Sequence, residues 1–151
     1  MDERLLAAYL ATDYRVRLAR GGWASIRIGA PLPAALAALT GARPWGFLTA
    51  WNPGSSPCPR QHNRQAQRAL LAALRELPGT VAIRAGIGVG PDIDGSWREA
   101  SLFVTGPAVP ALDALARRFG QNAYVHGRDA SAPALLRRMD NLIDVSGQSP
   151  G

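Results

Sequence analysis

The chain has 151 residues, of which 47% are hydrophobic and 19% charged, and its net charge is +6 with a pI of about 10.9. This composition excludes a disordered chain, and the length favours one globular domain with a sizeable hydrophobic core. A single cysteine, Cys58, excludes an internal disulfide and a cysteine-based zinc site, which favours a reducing cytoplasm. There is no run of 18 apolar residues and no signal-peptide pattern, so we expect no association with a membrane.

The predicted elements alternate between helices and strands. Tyr14, Val16 and Leu18 alternate with Arg15 and Arg17, a period typical of a hairpin strand with one buried face. In chain order the sequence predicts a helix over 2–12, a hairpin over 14–28, a helix over 31–41, a strand over 45–51, a helix from about 61 to 77, strands over 81–89 and 97–105, a helix over 110–119 and a strand over 121–126.

This order favours a layered α/β sandwich in which helices flank one mixed, mostly central β-sheet. The sheet cannot be wholly parallel, because the two strands of the opening hairpin must run antiparallel. We expect residues 1–127 to form a single α/β domain and residues 128–151 to add a C-terminal helix, with a disordered tail from residue 146. The apolar positions of that helix are Leu135, Leu136, Met139, Leu142 and Ile143.

The candidate site is built on the loop that follows the strand over 45–51. Asn52, Ser55 and the first N–H groups of the next helix could hold a polar or anionic ligand, with Arg60 and Arg64 adding positive charge. Alternatively, Asn52 and Ser55 only hold the turn through bonds from side chain to backbone. Asn63 is a plausible cap of that helix.

Glu99 is the candidate catalytic residue. It alternates in phase with Trp97 and Phe103, so it is expected to face an apolar layer, where a carboxylate must find a partner or change its pKa. It could act there as a base or ligand anchor, or form a structural ion pair. Gln121 and Asn122 could reach the same pocket as amide groups, or brace the end of a helix. The proposed ligand-binding residues are Thr49, Asn52, Ser55, Asn63, Glu99, Ser101, Gln121 and Asn122.

Other chemistry has less support in the sequence. Cys58 and His62 are four residues apart, but no third partner of a nucleophilic pair is evident. Cys58, His62 and His126 are too few to suggest a metal site, so none is predicted, and no cofactor is indicated.

Several motifs together resemble a bacterial family of small uncharacterised proteins, classified only as a domain of unknown function. The resemblance covers roughly residues 9–126, and it implies a compact single-domain protein without an assigned activity. Ala100 departs from the family pattern, which commonly has proline between the glutamate and serine positions. The motifs are Thr49-Ala50-Trp51-Asn52-Pro53 with Ser55, then Asn63, Glu99-x-Ser101 and Phe119-Gly120-Gln121-Asn122-Ala123.

Three functions remain open on the sequence. The first is binding of a small polar, phosphorylated or nucleotide-like ligand in a pocket formed by residues 52–56, Glu99 and Gln121, with or without catalysis. The second is a nucleic-acid-binding module that uses Arg15, Arg17 and Arg27. The third is a protein that docks on partners through its C-terminal helix. The sequence leaves the oligomeric state open.

Overall fold

The computed structural model describes residues 1–91 and 97–147, which form four α-helices and eight β-strands. Residues 53–55 form a single 3-10 turn. No helix in these ranges is long and apolar enough to cross a bilayer. The elements are α1 (Glu3–Ala11), β1 (Asp13–Arg17), β2 (Trp23–Ile26), α2 (Ala34–Thr40), β3 (Trp45–Leu48), α3 (Arg60–Glu76), β4 (Ala82–Val89), β5 (Arg98–Thr105), α4 (Val109–Arg118), β6 (Ala123–Gly127), β7 (Leu135–Arg138) and β8 (Ile143–Val145).

All eight strands lie in one sheet, in the order β2-β1-β4-β5-β3-β6-β7-β8, and every neighbouring pair is antiparallel. The expected sandwich around a mixed sheet is therefore wrong. Helix α3 does join two strands of equal direction, β3 and β4, but β5 lies between them. Helix α4 likewise joins β5 and β6 across β3. Strands of equal direction are thus never neighbours, which the order of elements alone does not reveal.

The central unit from β3 to β6 has the connectivity of a split β-α-β arrangement, as in ferredoxin-like folds. Its two helices pack on the same face of the sheet, where Leu70 and Leu74 of α3 and Leu112 of α4 share a core with Leu102 and Val104 of β5. The hairpin β1–β2 extends this unit on one side, and β7–β8 extends it on the other.

The sheet curls around a second core on its opposite face. Ile26 of β2 and Leu136 of β7 belong to this same core, although their strands lie near opposite ends of the sheet. An isolated bridge between Ile28 and Ala134 links the two ends directly. Helices α1 and α2 contribute to this core, so it occupies the concave face. We call this side the inner face and the side carrying α3 and α4 the outer face.

The predicted C-terminal helix is wrong, because its residues form β7 and β8. Leu136 pairs with Val125 of β6 on one side and Val145 of β8 on the other, so the segment extends the same sheet. The apolar spacing mimics a helix, but Leu142 has a φ of +53°, which no helix accommodates. The expected disordered tail lies largely outside the described residues, because the description ends at residue 147.

Candidate functional site

A small cavity lies on the inner face beneath α1. In the row across β1, β4 and β5, Tyr14 is opposite Gly88, and Gly88 is opposite Glu99. Because Gly88 has no side chain, space remains between the tyrosine and the glutamate. The cavity measures about 30 Å³, which is room for one or two water molecules. The residues of its lining that carry polar side-chain atoms are Tyr9, Thr12, Tyr14, Thr49, Trp97, Glu99, Ser101 and Tyr124.

Glu99 is the only carboxyl group among the described residues that line this cavity, and it is only 9% exposed. Burial raises the pKa of Glu99 from its usual 4.5 to about 7, and a hydrogen bond from the Asn52 side chain opposes part of this increase. The predicted phase of β5 is confirmed, because Phe103 lies in the inner core while Leu102 and Val104 lie in the outer one. Near neutral pH, the carboxyl can therefore either donate or accept a hydrogen bond.

The loop after β3 holds Asn52 in an uncommon conformation. Asn52 has a φ of +47° and Ser55 a φ of +61°, and both lie in the left-handed region that non-glycine residues rarely occupy. Asn52 Oδ1 accepts hydrogen bonds from the Cys58 N–H at 3.0 Å and from Asn63 Nδ2 at 2.8 Å. Since its oxygen is engaged, Asn52 has its amide nitrogen available as the donor for Glu99.

Asn63 supports this conformation instead of capping a helix, so its prediction as a cap is wrong. Helix α3 begins at Arg60, which places Asn63 inside the first turns, where it is 2% exposed. Its Oδ1 accepts the Asn52 N–H at 2.9 Å, and its Nδ2 donates back to Asn52. The two hydrogen bonds fix the side chain of Asn63 and both the backbone and the side chain of Asn52, so the loop conformation depends on both residues.

Ser55 connects the loop to helix α1 and to the segment before β6. Its Oγ lies 3.3 Å from the Tyr9 hydroxyl and accepts a hydrogen bond from Asn122 Nδ2 at 2.9 Å. Burial raises the pKa of Tyr9; the hydrogen bond with Ser55 lowers it, and the charge of Glu99 raises it further. The phenol therefore stays protonated, as a potential donor beside the glutamate.

Thr49, Ser101 and Gln121 use their hydrogen bonds to hold the backbone around the cavity. Thr49 Oγ1 donates to the Ala100 carbonyl at 2.7 Å, and Ser101 Oγ donates to the Glu99 carbonyl at 3.0 Å. Both residues line the cavity, whereas Gln121 does not. Gln121 Nε2 donates instead to the Trp51 carbonyl at 3.3 Å, so it stabilises the loop from outside the cavity lining.

The eight predicted residues thus occupy three positions relative to the cavity. Thr49, Glu99 and Ser101 line it. Asn52, Ser55 and Asn122 adjoin it through the hydrogen bonds described above, while Asn63 and Gln121 brace the loop. The sequence analysis missed Tyr9, Thr12, Tyr14, Trp97 and Tyr124, which also line the cavity. The alternation that turned Tyr14 inward was visible, but only the register between β1 and β4 brings it opposite Glu99.

The other candidate groups do not join this site. Arg60, Arg64 and His62 are exposed on the first turns of α3, and Cys58 is partly buried in the loop. Within residues 1–91 and 97–147, no group of three or more histidine, cysteine, aspartate or glutamate side chains could hold a metal ion.

The comparisons with known proteins concern the part of the chain that carries most of this site. A family model described as "Protein of unknown function (DUF3293)" matches residues 48–124, just over half of the chain. The matched residues run from the end of β3 into β6 and include all eight predicted site residues. No curated protein and no solved structure matches the chain. The expectation of a family without an assigned function is thereby confirmed, and the chain belongs to the DUF3293 family of proteins of unknown function.

Proposed function

We propose that the protein binds a small polar ligand whose head group enters the inner-face cavity and forms a hydrogen bond with Glu99. The observation that carries this proposal is the placement of a carboxyl group, 9% exposed, at a cavity that also presents the Tyr9 and Tyr14 hydroxyl-bearing side chains. A carboxyl group buried without a paired cation is costly, and a ligand that bonds to it offsets that cost.

The size of the cavity limits the head group to a few atoms. A volume of about 30 Å³ admits an amino, amide or hydroxyl group, each of which can donate to the carboxylate. A neighbouring groove of about 60 Å³ shares Tyr9, Thr12 and Trp97 with the cavity and adds Leu5 and Ala8. We therefore assign the apolar remainder of the ligand to this groove.

A phosphorylated ligand would place its phosphate outside the cavity. A phosphate inside it would face the Glu99 carboxyl group, which repels it whenever both are ionised. If the protein is an enzyme, Glu99 is our candidate for the acid or base, because a pKa of about 7 suits proton transfer near neutral pH.

A thermal-shift screen of millimolar amines, amides, alcohols, nucleosides and nucleotides tests the proposal. A ligand at one hundred times its Kd stabilises the protein by about 2.7 kcal/mol, which is readily detected. We expect Glu99→Gln to reduce the shift for every true ligand of this cavity. Glu76→Gln, an exposed glutamate at the end of α3, is the matched control and should leave the shift unchanged. Ligands that stabilise Glu99→Gln as well as the natural protein argue against the proposal.

One observation favours a second candidate function, the binding of nucleic acid by the hairpin. The guanidinium of Arg17 lies 5.6 Å from the ring centre of Trp23, and that tryptophan is 47% exposed. Paired arginine and aromatic side chains can stack on bases. Two ion pairs argue against this function, because they partly neutralise the other two arginines of the hairpin. Arg15 Nε lies 2.8 Å from Oδ2 of Asp13, and Arg27 Nη2 lies 4.0 Å from the same oxygen.

Filter binding of a single-stranded oligonucleotide at increasing salt concentration tests this second function. Phosphate contacts predict a steep loss of affinity with salt, and Arg17→Gln should weaken binding. Affinity that is absent or independent of salt removes the hypothesis. Docking through a C-terminal helix is no longer a candidate, because that helix does not form.

A further inference from the structure

A larger cavity, of about 500 Å³, lies on the outer face beside the start of α4. It shares no lining residue with the Glu99 cavity, and His126 of β6 reaches it from the outer face, since the neighbouring Val125 belongs to the inner core. This volume falls in the range of ordinary small-molecule sites. Its apolar lining consists of Pro44, Ala108, Val109, Ala132, Pro133 and Leu135.

One buried imidazole is the main polar feature of this cavity. His126 is 5% exposed, and its Nε2 lies 2.8 Å from Oδ1 of Asp144. The same Oδ1 lies 3.6 Å from Nη1 of Arg137. Within the described part of the chain, the other ring nitrogen of His126 forms no hydrogen bond. The aspartate therefore orients the ring and leaves one nitrogen for another partner.

The polar groups around the cavity are close to electrically balanced. Arg137 forms two hydrogen bonds with Asp113, at 3.1 and 2.8 Å, and the Tyr124 hydroxyl donates to that same carboxylate at 2.8 Å. At the exposed rim, the positive charge of Arg128 balances the negative charge of Asp144, the second carboxylate. A charged ligand would therefore gain little from this site, and its apolar walls would penalise the burial of a charge.

We propose that the outer-face cavity binds a neutral small molecule that has an apolar ring body and one hydroxyl group, with the hydroxyl hydrogen-bonded to His126. Because the Asp144 carboxylate accepts the hydrogen on Nε2, the other nitrogen of the neutral ring is an acceptor, and the ligand hydroxyl donates to it. The apolar body packs against the six apolar side chains of the lining. This site is independent of the function proposed above, because the two cavities lie on opposite faces of the sheet.

Three bicyclic probes of similar size test the proposal. They are 2-naphthol, its methyl ether 2-methoxynaphthalene, which lacks the hydroxyl donor, and 2-naphthoate, which is charged. We expect 2-naphthol to bind about five- to tenfold more tightly than the methyl ether, as one hydrogen bond implies, and more tightly than the carboxylate. Equal affinity for 2-naphthol and its ether, or a preference for the carboxylate, would overturn the proposal.

Amide chemical shifts locate the bound probe without any variant. The titration should shift the signals of Gly127, Ala132 and Leu135, and leave those of Gly88 and Ser101 unchanged. Shifts confined to the second group place the probe in the Glu99 cavity and overturn the proposal. Absence of saturable binding by all three probes also overturns it.

Two variants complete the test. Ala132→Phe fills the cavity from its partly buried wall and should abolish binding, while Ala72→Phe, on the exposed side of α3, should not. His126→Phe, which has no ring nitrogen, should bring the affinities for 2-naphthol and its ether close together. If His126→Phe fails to fold, the probe comparison and the Ala132→Phe variant still decide the outcome.

Discussion

Replacement of Glu99 by glutamine gives the sharpest test of the inner-face cavity. Burial raises the pKa of Glu99 from 4.5 to about 7, so the folded protein holds this proton more tightly than the unfolded chain does. The protonated carboxyl carries no charge, so its burial costs little, and below pH 4.5 the protein has its full free energy of unfolding with respect to this group. That stability is lost as pH rises towards 7 and is fully lost above it.

The size of this loss follows from the two pKa values. A difference of about 2.5 between the folded and unfolded states corresponds to roughly 3 kcal/mol. Most of it, about 2.5 kcal/mol, falls between pH 5 and pH 8, because the unfolded chain has largely released this proton by pH 5, whereas the folded protein holds it until about pH 7. Tyr9 and Tyr14 face the same cavity, but burial raises the pKa of each above 10, so neither contributes in this interval.

Urea denaturation at pH 5 and pH 8 measures the effect. Glutamine remains neutral, so Glu99→Gln should lose about 2.5 kcal/mol less stability than the natural protein between these two pH values. All other titrating groups are common to both proteins and cancel in the comparison. Glu76→Gln should behave like the natural protein. If the natural protein and Glu99→Gln show the same pH dependence within about 0.5 kcal/mol, Glu99 is not desolvated as the structure implies.

Three further predictions concern the supports of the two cavities. Asn63→Ala should destabilise the protein by about 2 kcal/mol in urea denaturation, since it leaves the buried groups of the loop without partners, and a change below about 0.5 kcal/mol would contradict this. Gly86→Ala should lower the free energy of unfolding by about 1–3 kcal/mol, because the added Cβ would lie 2.8 Å from the ring of Phe47 and 2.8 Å from the carbonyl oxygen of Arg15. Gly88→Ala is the control, because its Cβ would have no contact closer than 3.8 Å. Calorimetry should show a lower Tm for Gly86→Ala and little change in Tm for Gly88→Ala. Burial raises the pKa of Asp113, but hydrogen bonds, chiefly from Arg137, bring it below its usual 3.8. Asp113→Asn should therefore lower the free energy of unfolding by about 2 kcal/mol at pH 7, and by less at pH 3, where the carboxylate begins to protonate and its contribution decreases. An equal loss at both pH values would count against a stabilising pair of Asp113 and Arg137.

The local elements could be predicted from the sequence because each has a clear period. The apolar stripe of α3 and the alternation in β5 place Leu70 and Phe103 in the cores that they occupy. The strand order could not be predicted in this way, because the period of a strand does not say which strands are its neighbours in the sheet. Here β5 lies between β3 and β4. The C-terminal segment was assigned to the wrong element because Leu135, Leu136 and Met139 fit a helical face as well as a paired strand.

The candidate site was predictable where it depends on one strand or one loop. The phase of Glu99 follows from the period of β5, and the turn at Asn52 follows from its composition. Tyr9 and Tyr14 could not be assigned, because long-range packing and register bring them to the cavity. The roles of Asn63 and Gln121 as braces likewise depend on which backbone groups lie within reach.

The bridge between Ile28 and Ala134 has a consequence for how the chain folds. It joins positions more than one hundred residues apart, and β1 pairs with β4 over some seventy intervening residues. Such distant pairings carry a large loop-closure entropy before any contact compensates it, so they slow folding. The hairpins β4–β5 and β7–β8 can form early, whereas the joining of the two ends of the sheet must come late. Until then the hydrophobic residues of the inner face are open to association with other unfolded chains.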